Sequence, residues 1–183
     1  KPESTYIMTS LLFNVVRSSG GTAYGRLQLI KDFPNLEVAA KTGSTNDNKD
    51  NYFCGYTPDF VACTWFGYDN NKTITQKPNP AIGLWDNVMR LIYKNLKEKG
   101  IPFQEKFTVP ANIVTGVSYC IVSGKKPTEA CYKDFGTTVY NDGVFTLDTV
   151  PQEECDKHVL VKYDKDYGGV SIGFCPEENC IDV

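Results

Sequence analysis

The sequence predicts an α+β fold, in which antiparallel strands with covering helices are followed by a small, cysteine-rich appendage of loops and short strands. Three observations predict it. Apolar residues recur at helical spacing in two segments. Between these segments, two apolar runs flank a turn signal, which is typical of a β-hairpin. Beyond Pro102 the sequence becomes rich in Gly, Pro, Thr, Asp and Cys, so we assign residues 1–103 to one domain and residues 104–183 to the appendage.

Two helices are predicted, one on each side of the strands. The first covers residues 4–18, with Ser4 as its expected N-cap. Its apolar residues recur three or four positions apart: Met8, Leu11, Leu12, Val15 and Val16. The second helix is expected to begin at Pro80, with Asn79 as its cap, because proline is favoured at the first helical position. It buries one apolar stripe against a sheet and ends at Gly100.

Strands are predicted at residues 36–44 and within residues 52–68. In the second stretch, Pro58-Asp59 separates two apolar runs. If these two residues form the turn, paired positions across the hairpin sum to 117, and Cys54 lies opposite Cys63. This register permits a cross-strand disulfide, but we expect two small buried thiols, the more usual state of such cysteines.

Composition and charge exclude several classes of function. Lys and Arg number 19 against 22 for Asp and Glu, giving a net charge of −3, and no basic run is present. Nucleic-acid binding is therefore not expected. No stretch reaches the roughly 18 consecutive apolar residues that a membrane span requires. The first residues lack the apolar core of a signal peptide, and the chain begins as if cut from a longer protein.

The sequence contains seven cysteines and a single histidine. A zinc site of the Cys/His kind is possible only as Cys3His, and no CxxC pair is present to begin one, so we favour disulfides and expect no metal and no cofactor. Five cysteines lie in the appendage: Cys120, Cys131, Cys155, Cys175 and Cys180. We expect Cys120 to pair with Cys131, and Cys155 to pair with Cys175 or Cys180, in an oxidising compartment.

The segment most informative about function is Lys41-Thr42-Gly43-Ser44, at the end of a predicted strand. A strand edge can bind an extended substrate by backbone pairing. Lys41, Thr42 and Ser44 offer a cation and hydroxyls to the terminal carboxylate of such a substrate. Gly43 leaves room for the substrate backbone, and the Ser44 N–H is a candidate oxyanion-hole donor. Lys-Thr-Gly on a strand that lines a cleft is typical of penicillin-recognising serine acyl-transferases.

Longer runs around this segment resemble the class A, bifunctional penicillin-binding proteins. They are Ala40 to Asp50, Phe53 to Asp59 and Trp65 to Asp69 in the strands, residues 6–9, 15–16, 21–23, 80–85 and 88–89 in and around the helices, and Ser123-Gly124, Cys131, Pro151 and Cys155 to His158 in the appendage. The resemblance implies the C-terminal part of a transpeptidase domain, from before the Lys-Thr-Gly motif to a C-terminal extension. It also implies part of an antiparallel sheet with helices on both faces.

The resemblance implies a parent protein that cross-links peptidoglycan as a D,D-transpeptidase. Its serine forms an acyl-enzyme with the D-Ala-D-Ala end of a stem peptide, and β-lactams acylate the same serine. The parent is expected on the extracytoplasmic face of the bacterial membrane, with an N-terminal anchor and a glycosyltransferase domain. We identify no nucleic-acid partner.

The family also uses a Ser-x-x-Lys motif, which carries the nucleophile, and a Ser-x-Asn motif. Ser123-Gly124-Lys125-Lys126 and Ser44-Thr45-Asn46 match these patterns. The first follows the Lys-Thr-Gly strand and lies in a loop-rich stretch, and the second abuts that strand, so we interpret neither as genuine. The nucleophile is expected upstream of Lys1, and this chain alone is expected to be inactive. Its partner would be the missing N-terminal half, or a second copy of itself.

Three alternatives remain open. In the first, the chain is a non-catalytic cell-wall or partner-binding module with a disulfide-stapled tail. In the second, it is a metal-stabilised domain that uses Cys155, His158, Cys175 and Cys180. In the third, it is part of a serine β-lactamase, but the long loop at 46–51 and the cysteine-bearing tail argue against this. If His158 binds no metal, we expect it in a turn or at the surface. Trp65 and Trp85 are expected in the core, and Asp47 and Asn48 are expected to shape the loop after the strand.

Overall fold

In the computed structural model the chain forms two compact units, Lys1–Pro110 and Ala111–Val183. The structure describes residues 1–134, 136, 138–171 and 177–182. The first unit continues past residue 103, the boundary expected from the sequence. The reason is aromatic packing, because the Phe107 ring lies 5.8 Å from that of Phe13 and 5.5 Å from that of Tyr56. In the described ranges, no helix combines the length and apolar character that crossing a membrane would need.

The first unit combines helices with one antiparallel sheet. Its elements are α1 (Pro2–Arg17), α2 (Gln28–Asp32), β1 (Ala39–Ser44), a 3-10 turn (Asn46–Asn48), β2 (Asp50–Tyr56), β3 (Val61–Gly67) and α3 (Pro80–Glu98). The strand order is β1-β2-β3, so the predicted α+β fold is confirmed. The N-cap of α1 is Lys1 and not Ser4. The helix begins earlier than predicted because Pro2, which has no N–H to satisfy, suits its first position.

The predicted β-hairpin is confirmed residue by residue. The Thr57 N–H donates to the Phe60 carbonyl at 2.8 Å, and Cys54 lies directly opposite Cys63. These two cysteines form a disulfide, with their Cα atoms 4.0 Å apart. The expectation of two separate thiols is therefore wrong. Direct opposition in neighbouring strands brings the two side chains within bonding reach.

The long helix α3 begins and ends as predicted, and it covers one face of the sheet. The Asn79 side chain accepts a hydrogen bond from the Ala81 N–H at 2.9 Å, and Gly100 adopts a φ of +65° just beyond the end. Trp85 is fully buried, as expected. Its ring meets the Phe53 ring edge-on with 5.4 Å between centroids. This contact joins α3 to the middle strand of the sheet.

The second unit is built from short elements. They are β4 (Ile113–Cys120), α4 (Glu129–Lys133), β5 (Val139–Thr146), β6 (Lys162–Asp164), β7 (Gly169–Val170), a 3-10 turn (Glu177–Asn179) and β8 (Cys180–Asp182). Strands β4 and β5 pair antiparallel, and β6 lies between β7 and β8. The predicted loop- and strand-rich appendage is thus confirmed. Its buried cluster is formed by Cys120, Cys131 and Cys155, against which Val139 packs.

Candidate functional site

Strand β1 carries the Lys41–Ser44 segment from the core to the surface. Ala39 and Ala40 are buried, whereas Lys41 and Ser44 are exposed. On one side β1 pairs with β2, with Lys41 opposite Cys54. Within the described residues no strand pairs with its other side. The segment is therefore held by the core at one end and offers backbone hydrogen-bonding groups along an edge at the other.

The polar side chains of this segment contact the strand itself and the loop after α1. The Lys41 ammonium donates to the Thr42 carbonyl at 2.9 Å. The hydroxyls of Thr42 and Thr22 lie 2.8 Å apart, and Thr22 belongs to the loop after α1. Within the described residues the structure shows Lys41 in no ion pair. Its ammonium has three N–H donors, so an incoming anion would bind it without first breaking an ion pair. The loop after α1 and the edge strand together hold the hydroxyls in place.

Gly43 lies opposite Tyr52, and side-chain space at this position is limited. A Cβ built on Gly43 would lie 3.3 Å from the Tyr52 Cβ, which is tighter than an ordinary contact. Tyr52 is exposed, and so is Trp65, its partner on β3. The expectation that Trp65 lies in the core is wrong. It belongs to a sheet face whose exposed apolar residues are Tyr52, Val61 and Trp65.

The loop after β1 has its own polar framework. Asp47 and Asn48 adopt positive φ values of 60° and 51°, a region that Asn and Asp tolerate better than most residues. The Asn48 amide donates to the Ile74 carbonyl at 2.6 Å, and its carbonyl oxygen accepts from Asn51 at 2.6 Å. Asn48 thus shapes the loop, as predicted. For Asp47 the backbone conformation is in keeping with the same role.

The Ser-x-x-Lys pattern at residues 123–126 lies in a turn after β4, where Gly124 has a φ of +72°. A serine nucleophile of this kind needs the start of a helix, so that the lysine one turn later faces its hydroxyl. The lysine of the pattern, Lys126, instead lies in an isolated β-bridge with Glu154 and not in a helix. Its neighbour Lys125 forms ion pairs with Glu153 at 2.9 Å and Asp156 at 3.2 Å. Hydrogen bonds to these carboxylates raise the pKa of Lys125. The turn therefore lacks the geometry of an acylation site.

The predicted Cys120–Cys131 disulfide is not formed, and Cys155 is not paired with Cys175 or Cys180, because Cys120, Cys131 and Cys155 are all buried free thiols. Their sulfurs surround the Nδ1 atom of His158 at 3.5, 3.4 and 3.3 Å, respectively. The disulfide prediction is wrong because the three sulfurs surround the His158 imidazole. In this arrangement each sulfur faces the ring nitrogen and is not bonded to another sulfur. His158 is not a surface residue, since its side chain is only 14% exposed.

The remaining cysteines of the appendage differ from these three. Cys180 is disulfide-bonded, whereas Cys175 lies outside the described residues. The alternative metal site made of Cys155, His158, Cys175 and Cys180 is not the cluster that the structure shows, because Cys120 and Cys131 take the places of the last two. The C-x2-H spacing of Cys155 and His158 was the one local sequence signal for the observed cluster. Cys120 and Cys131 come from distant positions in the sequence.

The cluster is electrostatically unusual. A side-chain hydrogen bond with Ser123, joined by one with His158, lowers the pKa of the Cys155 thiol to about 5 although burial opposes the shift. The hydrogen bond with Cys155 in turn raises the pKa of His158. Burial raises the pKa of Cys131. Such thiols have the chemistry of thiolate ligands or of reactive cysteines.

Comparison with known proteins gives the chain a family context. A family model described as penicillin-binding protein 1A, C-terminal domain, matches residues 109–160. The chain is 34% identical over 177 residues to a penicillin-binding protein 1A of Clostridium botulinum, with 96% of this chain and 20% of that protein covered. For the protein of the same name from Clostridium perfringens, the identity is 31% over 159 residues, covering 86% of this chain and 17% of the relative.

The chain corresponds to the C-terminal part of a class A penicillin-binding protein. It spans about a fifth of the length of these curated relatives. A crystal structure of penicillin-binding protein 1A from Haemophilus influenzae has the same fold, with a TM-score of 0.58 at 20% identity, covering 84% of this chain and 21% of that one.

Within this penicillin-binding protein segment, the two sites fall in different units. The Lys41–Ser44 strand belongs to the first unit, ahead of the residues that the family model matches. The four residues of the cysteine cluster all lie inside the matched range, 109–160. One alternative drawn from the sequence placed Cys155 and His158 together, but it missed Cys120 and Cys131 as the other two members of the cluster.

Proposed function

We propose that this chain supplies one wall of the catalytic cleft of a peptidoglycan D,D-transpeptidase, within a longer protein that acts outside the cytoplasmic membrane. The observation that carries the proposal is the exposed end of β1, where Lys41 and Ser44 emerge from a buried strand at the sheet edge. The similarity to penicillin-binding protein 1A over 96% of the chain supports the same assignment. The serine nucleophile, its lysine partner and the membrane anchor are assigned to segments outside these 183 residues.

In this proposal the substrate lies antiparallel or parallel to the outer edge of β1 and pairs with its backbone. The Lys41 ammonium and the hydroxyls of Thr42 and Ser44 bind the terminal carboxylate of the acyl-D-Ala-D-Ala end. The serine oxygen attacks the penultimate carbonyl carbon, and the Ser44 N–H helps to stabilise the oxyanion. The peptide bond breaks, the terminal D-Ala leaves with a proton, and the acyl group passes from serine to the amine of a second stem peptide.

The same geometry accounts for β-lactam recognition. A β-lactam carries a carboxylate near its strained amide, so it presents the anchor that Lys41, Thr42 and Ser44 would bind. Attack by the serine opens the ring and leaves the acyl group attached to the enzyme. The exposed sheet face with Tyr52 and Trp65 is proposed to be covered by the rest of the transpeptidase domain, because large apolar side chains favour burial.

The test uses a longer protein that contains this chain and the upstream transpeptidase segment. Lys41→Ala is expected to lower the rate constant of acylation by a fluorescent penicillin by about 10- to 100-fold, the effect of losing a hydrogen bond to a charged group. The matched control is Lys72→Ala, since Lys72 is an exposed lysine in the loop before α3. Equal acylation by Lys41→Ala and the control would contradict the proposal.

A second measurement tests whether the acylation site lies outside this chain. The 183-residue chain is incubated with the same penicillin, and its intact mass is recorded before and after. We expect no covalent adduct, because the nucleophile is proposed to lie elsewhere. An adduct on Ser123 would refute the assignment of the acylation site.

A further inference from the structure

The Cys3His cluster, defined as Cys120, Cys131, Cys155 and His158, brings together ligands from three parts of the second unit. Cys120 ends β4, Cys131 lies in the first turn of α4, and Cys155 and His158 belong to the loop before β6. The four potential ligand atoms all lie within 4.8 Å of one another, and the three sulfurs are buried.

The three sulfur–nitrogen distances and the distance between the Cys155 and Cys120 sulfurs match those of a tetrahedron around an ion. Zinc bonds of about 2.3 Å to sulfur and 2.0 Å to nitrogen place two sulfurs about 3.8 Å apart and a sulfur and a nitrogen about 3.5 Å apart. The observed Sγ–Nδ1 distances are 3.3 to 3.5 Å. The sulfurs of Cys155 and Cys120 are 3.7 Å apart, far beyond the roughly 2.05 Å of a disulfide.

Hydrogen bonding alone does not account for this arrangement. The Nε2 atom of His158 faces the Asp134 carboxylate at 3.3 Å, so this nitrogen carries the N–H and Nδ1 is left with one lone pair. One lone pair accepts one good hydrogen bond, yet three sulfurs approach Nδ1 at nearly equal distances. A cation at the centre of the cluster would satisfy all four atoms at once.

The surroundings of the cluster resemble the outer shell of a metal site. Asp134 orients the imidazole through Nε2, the arrangement that fixes which nitrogen is the ligand. The Thr128 N–H donates to the Cys131 sulfur at 3.4 Å, and the Lys157 N–H donates to the Cys155 sulfur at 3.4 Å. Backbone N–H groups aimed at sulfur stabilise the thiolate form. These contacts orient the ligands and leave the centre of the cluster to the ion.

Backbone pairing fixes the positions of two of the sulfurs. A tight turn closes on Cys120, whose carbonyl accepts from the Gly124 N–H at 2.8 Å. The Cys155 N–H donates to the Lys126 carbonyl at 2.8 Å, in a bridge between residues 126 and 154. Backbone hydrogen bonds therefore hold the chain segments from 120 to 126 and from 153 to 155 side by side.

We propose that the Cys3His cluster binds one Zn²⁺ ion. Three thiolates and one imidazole in a tetrahedron are a donor set that suits zinc and disfavours magnesium or calcium. Four protein ligands leave no open position for substrate, so the ion is structural. It joins the end of β4, the start of α4 and the 155–158 loop, and thereby replaces the disulfides that the sequence predicts.

The experiment measures metal in the 183-residue chain, produced in zinc-supplemented medium and purified without chelator. We expect one mole of zinc per mole of chain by elemental analysis. X-ray absorption should show three sulfurs at about 2.3 Å and one nitrogen at about 2.0 Å. A chain with all three thiols free and no metal, a chain with a disulfide among these three cysteines, or a chain loaded with iron or copper would each overturn the assignment.

Variants separate metal binding from general damage to the fold. Cys131→Ser is expected to abolish stoichiometric zinc, whereas the control with both Cys54→Ser and Cys63→Ser keeps it, because that disulfide lies in the other unit. Asp134→Asn keeps all four ligands and is expected to weaken zinc binding by about 10- to 100-fold, measured by competition with a zinc indicator. Because Asp134→Asn removes no ligand, we expect this variant to stay folded, so its zinc affinity reports on the site and not on general damage to the fold. Unchanged affinity in Asp134→Asn together with stoichiometric zinc in Cys131→Ser would refute the site.

Discussion

The contact between Gly55 and Trp85 yields the sharpest prediction about stability. Gly55 lies on β2 beneath α3, and a Cβ there would come within 2.9 Å of the Trp85 Cζ2 atom and 3.2 Å of the Ala40 Cβ. The indole cannot easily retreat, because it is fully buried and its N–H donates to the Ala62 carbonyl at 3.0 Å. Gly55→Ala is therefore expected to lower the free energy of unfolding by about 1–3 kcal/mol, the usual cost of overpacking a core.

Urea unfolding followed by circular dichroism measures this change in the 183-residue chain. The control is Gly83→Ala, since Gly83 lies within α3 and a Cβ added there would meet no atom within 4 Å. That variant should gain about 0.5–1 kcal/mol, because alanine is the better helix former. Combining Gly55→Ala with Trp85→Phe should cost less than the sum of the two single changes. An unchanged or raised stability for Gly55→Ala would refute the close-packing argument.

Two further predictions concern the first unit. Replacing Cys54 and Cys63 together by alanine removes a cross-link between residues nine apart and should lower the free energy of unfolding by about 2–3 kcal/mol, as a urea titration without reductant would show; no loss would contradict the bond. Hydrogen bonds from Arg90 and then Lys94 lower the pKa of Asp32, so its stabilising effect is present above the pKa of the unfolded carboxyl and is lost as the pH falls through the lowered one. Asp32→Asn should therefore be less stable than the parent at neutral pH and equal to it in strong acid, and an equal difference at both pH values would contradict this.

Local signals explain why the hairpin and α3 were predictable. Pro58-Asp59 fixes the turn, and Asn79 followed by Pro80 fixes the start of the helix, so each boundary is encoded within a few residues. The register of the hairpin followed from the turn, but the oxidation state of Cys54 did not. Two facing thiols and a disulfide require the same sequence pattern, and the compartment decides between them.

The Cys3His cluster could not be read from local pattern, because its ligands meet only after β4 and α4 have formed. Cys120 and Cys131 are separated by ten residues, and neither stands in a CxxC pair. The position of Trp65 failed for a related reason. Alternation along β3 shows that Trp65 and Val61 share one face, but it does not show which face of a sheet is covered.

The chain holds oxidised and reduced cysteines in one molecule, and this has a consequence for its biogenesis. The protein is proposed to act outside the cytoplasm, in an oxidising environment. There a newly exported chain can form many incorrect disulfides among its cysteines. Cys54 and Cys63 are brought together early by their hairpin, since contacts close in sequence form fastest. An ion captured by Cys120, Cys131 and Cys155 would withhold those thiols from exchange, because a metal-bound thiolate is a poor attacking group. Zinc supply during export would then decide how much of the protein matures with the correct pairing.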